Sequence, residues 1–203
     1  MAISLMTEAV TEGRLEEHEL IQRVLKGERE AFHPLVEAYQ RQVYGLALRM
    51  LGNTHEAEDA AQDTFVQAYF KLRTYRPEHR FKTWLLSIAA HLCIDRLRRR
   101  RLEPSLFSDH VDSEDADADL EVACPAPNPE EVVIHRQRQA ALRAMLAELP
   151  ADERALIVMA YFNEMSHEEI AQALGTTVSA VKSRLFRARQ KMSRSRWASA
   201  FQE

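Results

Sequence analysis

The stretch that decides the fold is MSHEEIAQALGTTVSAVKSRLFRARQKM, Met165–Met192. Ser166 followed by Glu169 has the spacing of a capping box, in which each side chain satisfies the other residue's free backbone N–H. Ile170, Ala171 and Leu174 fall on one face at helical spacing. Gly175 supplies the positive φ that ends a helix. Thr177 caps a second helix whose apolar positions are Val181, Leu185, Ala188 and Met192. The remaining face presents Lys182, Ser183, Phe186 and Arg187, with Arg184 and Arg189 near its edge. Helix, glycine turn and a basic second helix form the pattern of a helix-turn-helix that reads DNA. A helical hairpin with a solvated charged face is the plainer alternative, and the paired caps together with the cations favour the reader.

Upstream of the hairpin the sequence predicts two more helices. Asn128 caps the first, with Pro129 at N1 and Glu131 at N3, and Val132, Val133, Leu142, Met145, Leu146 and Leu149 form its apolar side. Pro150 stops it, and Asp152 begins a helix carrying Leu156, Ile157, Met159 and Ala160.

A formal net charge of −4 over 203 residues conflicts with DNA binding until the charge is located. Leu102–Glu131 holds ten acidic residues and no Lys or Arg, which leaves 27 basic against 21 acidic residues elsewhere. The stretch also carries Pro125, Pro127 and Pro129 and is poor in aromatics, so it cannot bury enough apolar surface to order itself. It reads as a linker between two helical domains. The expected boundaries are 13–101 for the first domain, 102–127 for the acidic linker and 128–196 for the second.

In the first domain Leu20, Ile21, Val24 and Leu25 form an apolar stripe ended by Gly27. A longer helix follows, with Phe32, Leu35, Val36, Tyr39, Val43, Leu46, Ala47 and Met50 inward and Gly52 closing it. Pro34 requires a place in its first turn, where no carbonyl partner is lost. Asn53 or Thr54 starts a third helix to about Leu72, with Ala57, Ala61, Thr64, Phe65, Ala68 and Leu72 inward. Its outer face carries Asp59, Gln62 and Asp63 at i, i+3 and i+4. With no nucleophile or cavity nearby, this trio fails as an acid–base pair but suits docking to a basic partner.

From Lys71 to Arg101 the charge reverses, and Tyr75, Phe81 and Trp84 interleave with Arg73, Arg76, Arg80 and Lys82. Aromatic faces among cations are what unpaired bases and their phosphates require. Phe81 and Trp84 also fit a core stripe with Leu85, Ile88 and Leu92, so a structural role competes with stacking. The Arg98–Arg101 run exceeds what a helix C-terminus needs and suggests phosphate contact.

Composition sets the frame for these motifs. Only 5 glycines among 203 residues, none between Asn53 and Leu174, point to an all-α chain. No apolar run approaches the roughly 20 residues that cross a bilayer, so membrane insertion is not expected and a cytoplasmic chain is. Cys93 and Cys124 lack metal or redox spacing, and His91 and Asp95 share a helix face without further ligands, so no metal, cofactor or catalytic site is expected.

The segments AEDAAQDTFVQAY (Ala57–Tyr69) and FKTWLLSIAAHLCIDRLRRR (Phe81–Arg100) resemble region 2 of bacterial sigma factors. The hairpin with SAVKSRLFRAR (Ser179–Arg189) resembles their region 4, and the short acidic linker makes the whole similar to an extracytoplasmic-function sigma factor. The resemblance implies a dissociable initiation subunit without catalysis of its own, with core RNA polymerase, promoter DNA and an anti-sigma factor as partners. It implies core docking through Asp59, Gln62 and Asp63. It implies capture of the melted minus-10 element by Tyr75, Arg76, Arg80, Phe81, Lys82, Trp84 and His91, and minus-35 reading by Thr177, Ser179, Lys182, Ser183, Phe186 and Arg187. The family commonly has Asn where this chain has His91, and Gly-Thr where it has Ser179-Ala180, which bears on base preference. A helix-turn-helix regulator that binds operators as a dimer is the rival reading. It requires a sensor or phosphoacceptor domain at the N-terminus, and no Asp-ending strands occur there.

Overall fold

A computed structural model describes residues 16–102 and 129–201, and among these every regular element is helical. Helix α1 covers residues 16–25 and ends at Gly27, whose φ is +105°. A 3-10 turn, Arg29–Phe32, leads into α2, His33–Leu51, and Pro34 lies in the first turn, where it displaces no hydrogen bond. Gly52 at φ +74° closes α2 and donates its N–H to the Leu48 carbonyl at 2.8 Å. Asn53 then caps α3, Thr54–Lys71, by accepting from the Glu56 N–H at 2.9 Å. A second 3-10 turn, Leu72–Thr74, precedes the loop to α4, Phe81–Leu102.

Helices α2, α3 and α4 enclose Leu46, Met50, Leu72, Phe81, Leu85 and Leu86, all buried. Small residues Ala57, Ala60 and Ala68 let α3 approach closely, and the buried Thr64 hydroxyl donates to the Ala60 carbonyl at 2.7 Å. Cys93 is buried in α4, and burial pushes its thiol up to about 12. It is an inert packing residue.

The second half holds α5 (Pro129–Ala147), α6 (Ala151–Tyr161), α7 (His167–Ala173), α8 (Val178–Ser193) and a 3-10 turn, Arg196–Phe201, packed on α5. Val133, expected on the apolar side of α5, is 53% exposed, because that part of α5 has no facing element among the described residues. Helix α4 also runs one residue past the expected boundary, to Leu102. The remainder of the expected linker, with Cys124 and the Asn128 cap, lies outside the described residues.

The two halves share one continuous core, formed where α6 packs on α2 and α4 and α7 packs on α4. The contact is polar as well as apolar. Arg154 of α6 is buried and donates to the Met50 carbonyl of α2 at 2.5 Å and to the Ala147 carbonyl at 2.9 Å. Both carbonyls belong to the last turns of helices, where no intrahelical partner exists. Burial lowers the Arg154 pKa to about 10, with the charge of Arg100 acting the same way, so the group stays charged at neutral pH. Arg49 folds back over Gly45, donating to its carbonyl at 2.9 Å, and lies 4.3 Å from the ring centre of Phe162. A Cβ at position 45 would meet the Arg49 guanidinium at 2.9 Å, so glycine there permits that posture.

Arg154→Ala strands two helix-end carbonyls in a buried interface. The expected loss of stability is about 2–4 kcal/mol, checked by urea unfolding of the full chain.

Candidate nucleic-acid interface

The hairpin forms as its sequence predicts. The Glu169 N–H donates to Ser166 Oγ at 3.1 Å and the Ser166 N–H donates to Glu169 Oε2 at 2.9 Å, which completes the capping box of α7. Gly175 adopts φ +61°, and the next N–H, of Thr176, reaches back to the Ala171 carbonyl at 2.8 Å. Thr177 caps α8 by accepting from the Ala180 N–H at 3.2 Å. Val181, Leu185 and Ala188 are buried beneath α8, and Lys182, Ser183, Phe186 and Arg187 stand out of it. Phe186 is 55% exposed among cations, where its ring is open to an apolar group such as a thymine methyl. Thr177 and Ser179 are exposed at the N-terminal end of the same helix. All six expected upstream readers therefore lie along one accessible edge.

On α3 the docking trio is also exposed, but its members are not equivalent. Asp63 accepts from Arg96 Nη2 of α4 at 2.5 Å, and Arg96 Nη1 donates to the Glu56 carbonyl at 2.9 Å. Arg100 pairs with the Glu56 carboxylate in the same row. Asp59 and Gln62 stand outside this network. Beyond them the stripe continues at helical spacing into Val66, 54% exposed, and Phe70, 78% exposed. Reading the sequence for charge missed this apolar extension, although the i, i+4, i+7 and i+11 spacing from Asp59 was there to be counted.

The aromatic residues around the start of α4 divide differently from the sequence expectation. Phe81 is fully buried, packed on Tyr39, Tyr75 and Trp84 at centroid separations of 5.5–5.6 Å. It is a core residue that carries the others and has no face for a base, which corrects its assignment to minus-10 contact. Tyr75 and Trp84 are half-buried, and the Tyr75 hydroxyl donates to the His79 carbonyl at 2.8 Å, pinning the loop. Arg76 and Arg80 are exposed, and Lys82 is half-buried beside them. His91 lies seven residues beyond Trp84, about 10 Å along the axis. It shares a groove of about 530 Å³ between α3 and α4 with Asp63, Lys71, Ser87 and Arg99. Its Nδ1 contacts the Ser87 carbonyl at 2.7 Å, which fixes the ring and turns Nε2 outward.

The start of α4 and the start of α7 also touch, a contact that no local sequence pattern signals. Glu169 Oε1, the oxygen not used by Ser166, accepts from the Thr83 hydroxyl at 3.1 Å and lies 3.9 Å from Arg80 Nε. Burial of Glu169 works against its ionisation. The hydrogen bonds from the Ser166 backbone and from Thr83, with the Arg80 charge, outweigh burial and hold the carboxyl below its usual range. At the far end of α4, Arg98 Nη2 pairs with Asp152 of α6 at 2.9 Å. No group of residues that could hold a metal occurs among the described residues.

Comparison with known proteins follows the same division of the chain. Residues 35–103 match the family model for sigma-70 region 2, and residues 139–192 match that for sigma-70 region 4. The ECF RNA polymerase sigma factor SigW of Bacillus subtilis (strain 168) is 34% identical over 170 residues, 84% of this chain and 91% of the relative. The RNA polymerase sigma-H factor of Pseudomonas aeruginosa is 32% identical over 183 residues, 86% and 91% of the two chains. Among solved structures, that of CnrH in complex with the cytosolic domain of CnrY superimposes with a TM-score of 0.62 at 27% identity, covering 88% of this chain and 95% of CnrH. The sigma factor RpoE of Bartonella quintana, solved with the anti-sigma factor NepR, shares the fold at a TM-score of 0.58 and 22% identity, over 80% and 94% of the chains.

Because the edge of α8 is separate from its buried face, Lys182→Ala, Phe186→Ala and Arg187→Ala should each change stability by no more than about 0.5 kcal/mol. Ser166→Ala, which opens the capping box, should cost about 1 kcal/mol. Thermal unfolding of the four variants checks both.

Proposed function

The chain belongs to the extracytoplasmic-function sigma factors of the sigma-70 family, and on that premise we propose a division of labour among its surfaces. A factor of this family binds core RNA polymerase and directs it to promoters, so this chain acts in transcription initiation. The reading assigns it no catalysis of its own, and the work is recognition. The match to both regions in order sets aside the operator-binding dimer.

The acidic stripe of α3 docks on basic helices of the polymerase core, with Asp59 and Gln62 as its freely presented members and Asp63 shared with Arg96. The exposed cations Arg76 and Arg80, with Lys82, the outer faces of Tyr75 and Trp84, and His91, take the melted minus-10 strand. Helix α8 enters the major groove at the minus-35 element, where Arg187 and Lys182 reach base edges and phosphates, Phe186 meets a thymine methyl, and Thr177, Ser179 and Ser183 contact the backbone. The observation that carries this reading is the segregation on α8: one buried apolar face and one exposed edge of cations, hydroxyls and a phenyl ring.

The linker fits the same scheme by its length. Minus-10 and minus-35 elements are about 25 base pairs apart, roughly 85 Å along B-form DNA. Residues 103–128 number 26 and reach at most about 90 Å when extended. Two domains in contact cannot span that separation, so promoter engagement requires them to part. Control by an anti-sigma factor, in response to stress, completes the reading, and RpoE of Bartonella quintana, solved with the anti-sigma factor NepR, supports it. Action on polymerase places the chain in the cytoplasm in this reading, as its family membership implies, and no described helix is long and apolar enough to cross a membrane.

Asp59→Lys alone should weaken core binding at least tenfold, and Asp59→Lys with Asp63→Lys should abolish it while both halves remain folded, because reversing one side of a close charge pair costs several kcal/mol. Competition for labelled core in solution is the measurement, and unchanged affinity in the double variant removes α3 from the interface.

On polymerase, Arg187→Ala and Lys182→Ala should weaken binding to the upstream element. A lost guanine contact relaxes specificity by about 1–3 kcal/mol at one base pair, whereas a lost phosphate contact flattens the salt dependence instead. Footprinting of the holoenzyme on promoter variants across a salt series separates the two.

A further inference from the structure

We propose that Glu169 locks the free chain in a closed, self-masked form, one carboxylate serving both halves at once. Oε2 closes the capping box of α7. Oε1 reaches across to Thr83 and Arg80 at the start of α4. The carboxylate therefore occupies the cation that a DNA phosphate would take, and DNA and Glu169 compete for Arg80. This rests on the reading of Arg80 as a contact to the melted strand.

The rest of the interface has the same logic. Asp152 in the first turn of α6 holds Arg98 within the arginine run of α4, so acids at two helix starts of the second half neutralise cations near both ends of α4. Acidic residues in a first turn ordinarily serve the dipole of their own helix. These two also serve another helix of opposite charge. Arg154 and Arg49 add contacts to neutral partners, the Met50 carbonyl and the Phe162 ring, and involve no DNA-facing group. The contacts of Glu169 and Asp152 are thus distinct from the buried contacts of Arg154 and Arg49, and removal of Glu169 or Asp152 is expected to loosen the closed form without unfolding the helices of either half. The pairs at Arg80 and Arg98 are largely exposed and weaken with salt. The closed form therefore yields to a partner that brings many charges at once, as promoter DNA and core polymerase do together.

The experiment uses the full chain and a fluorescein-labelled (dT)20 oligonucleotide as the probe. Glu169→Gln keeps the capping box, because glutamine serves at that position as well as glutamate does. It removes the charge facing Arg80. Thr83→Val cuts the same contact from the other side with no change in charge. Glu168→Gln, exposed and one residue away, makes the same charge change without touching α4. Loss of an exposed ion pair corresponds to about a two- to fivefold gain in oligonucleotide affinity at low salt, vanishing at high salt. That gain is expected for Glu169→Gln, a smaller one for Thr83→Val, and less than either for Glu168→Gln. The radius of gyration in solution scattering should rise in Glu169→Gln combined with Asp152→Asn. Equal affinities for Glu169→Gln and Glu168→Gln, or an unchanged radius of gyration in the double variant, overturn the lock. The underlying reading is tested separately by Arg80→Ala in open-complex formation on core. Wild-type melting there removes Arg80 from the DNA contacts and the masking with it, whereas impaired melting with no gain in Glu169→Gln rejects the lock alone.

Discussion

Every helix end leaves backbone groups without partners, and a chain folded almost wholly into short helices has many such ends. The structure is organised by how they are satisfied. Asn53, Ser166 and Thr177 close helix starts with their own side chains, and Gly52 and Gly175 close helix ends with left-handed backbone. Two carbonyls left over in the last turns of α2 and α5, those of Met50 and Ala147, are met instead by Arg154. A single guanidinium from α6 thereby fixes the end of α2 relative to the end of α5. The attachment of the two halves follows from a requirement of the backbone, and the apolar contact around it shields most of the guanidinium from water.

Charge is arranged on the same principle of shared partners. The arginines of α4 are met by Asp63 and Glu56 of α3 on one side and by Asp152 of α6 on another. Glu169 of α7 meets Arg80 just before α4 begins. None of these pairs is deeply buried, so each contributes little to stability by itself. Their effect is on availability. Asp63 is less free than Asp59 to meet a partner, and Arg80 and Arg98 are less free than Arg76 to meet DNA. Arg96, which binds Asp63 and the Glu56 carbonyl together, holds the exposed face of α3 in register with α4, so the surfaces proposed for docking and for strand capture are mechanically adjacent.

What the sequence disclosed and what it hid differ by distance along the chain. The caps at Asn53, Ser166 and Thr177, the glycine turn, the place of Pro34 and the apolar side of α8 are decided within four residues, and each is found as expected. The matches to regions 2 and 4 bear out the family resemblance. Phe81 misled because an aromatic among cations satisfies the pattern for base stacking and the pattern for a helix stripe equally. Its burial depends on distant partners such as Tyr39, more than 40 residues earlier, that no local spacing reveals. Val133 misled in the opposite sense, since an apolar residue at helical spacing needs a facing element, and α5 has none there among the described residues. Asp63 with Arg96, Thr83 with Glu169 and Met50 with Arg154 are 33, 86 and 104 residues apart, and no local rule pairs them.

The closed contact need not be strong to matter, because its two halves are tethered. A chain of 26 residues keeps them at an effective concentration on the order of millimolar. An interface with an intrinsic dissociation constant of about 1 mM, roughly 4 kcal/mol, would be closed half the time, and one of about 1 μM would be closed all but about a thousandth of it. Apparent affinity for core and promoter falls by the open fraction, so each tenfold tightening of the interface costs tenfold in recruitment. A sigma factor must therefore keep this interface between those limits. Exposed ion pairs at Arg80 and Arg98 are suited to that task, since each shifts the balance by a few-fold and responds to ionic strength. A buried pair in their place would leave one charge stranded on opening and would make the closed form hard to leave. The weakness of these contacts is what allows one chain to be quiet when free and competent when bound.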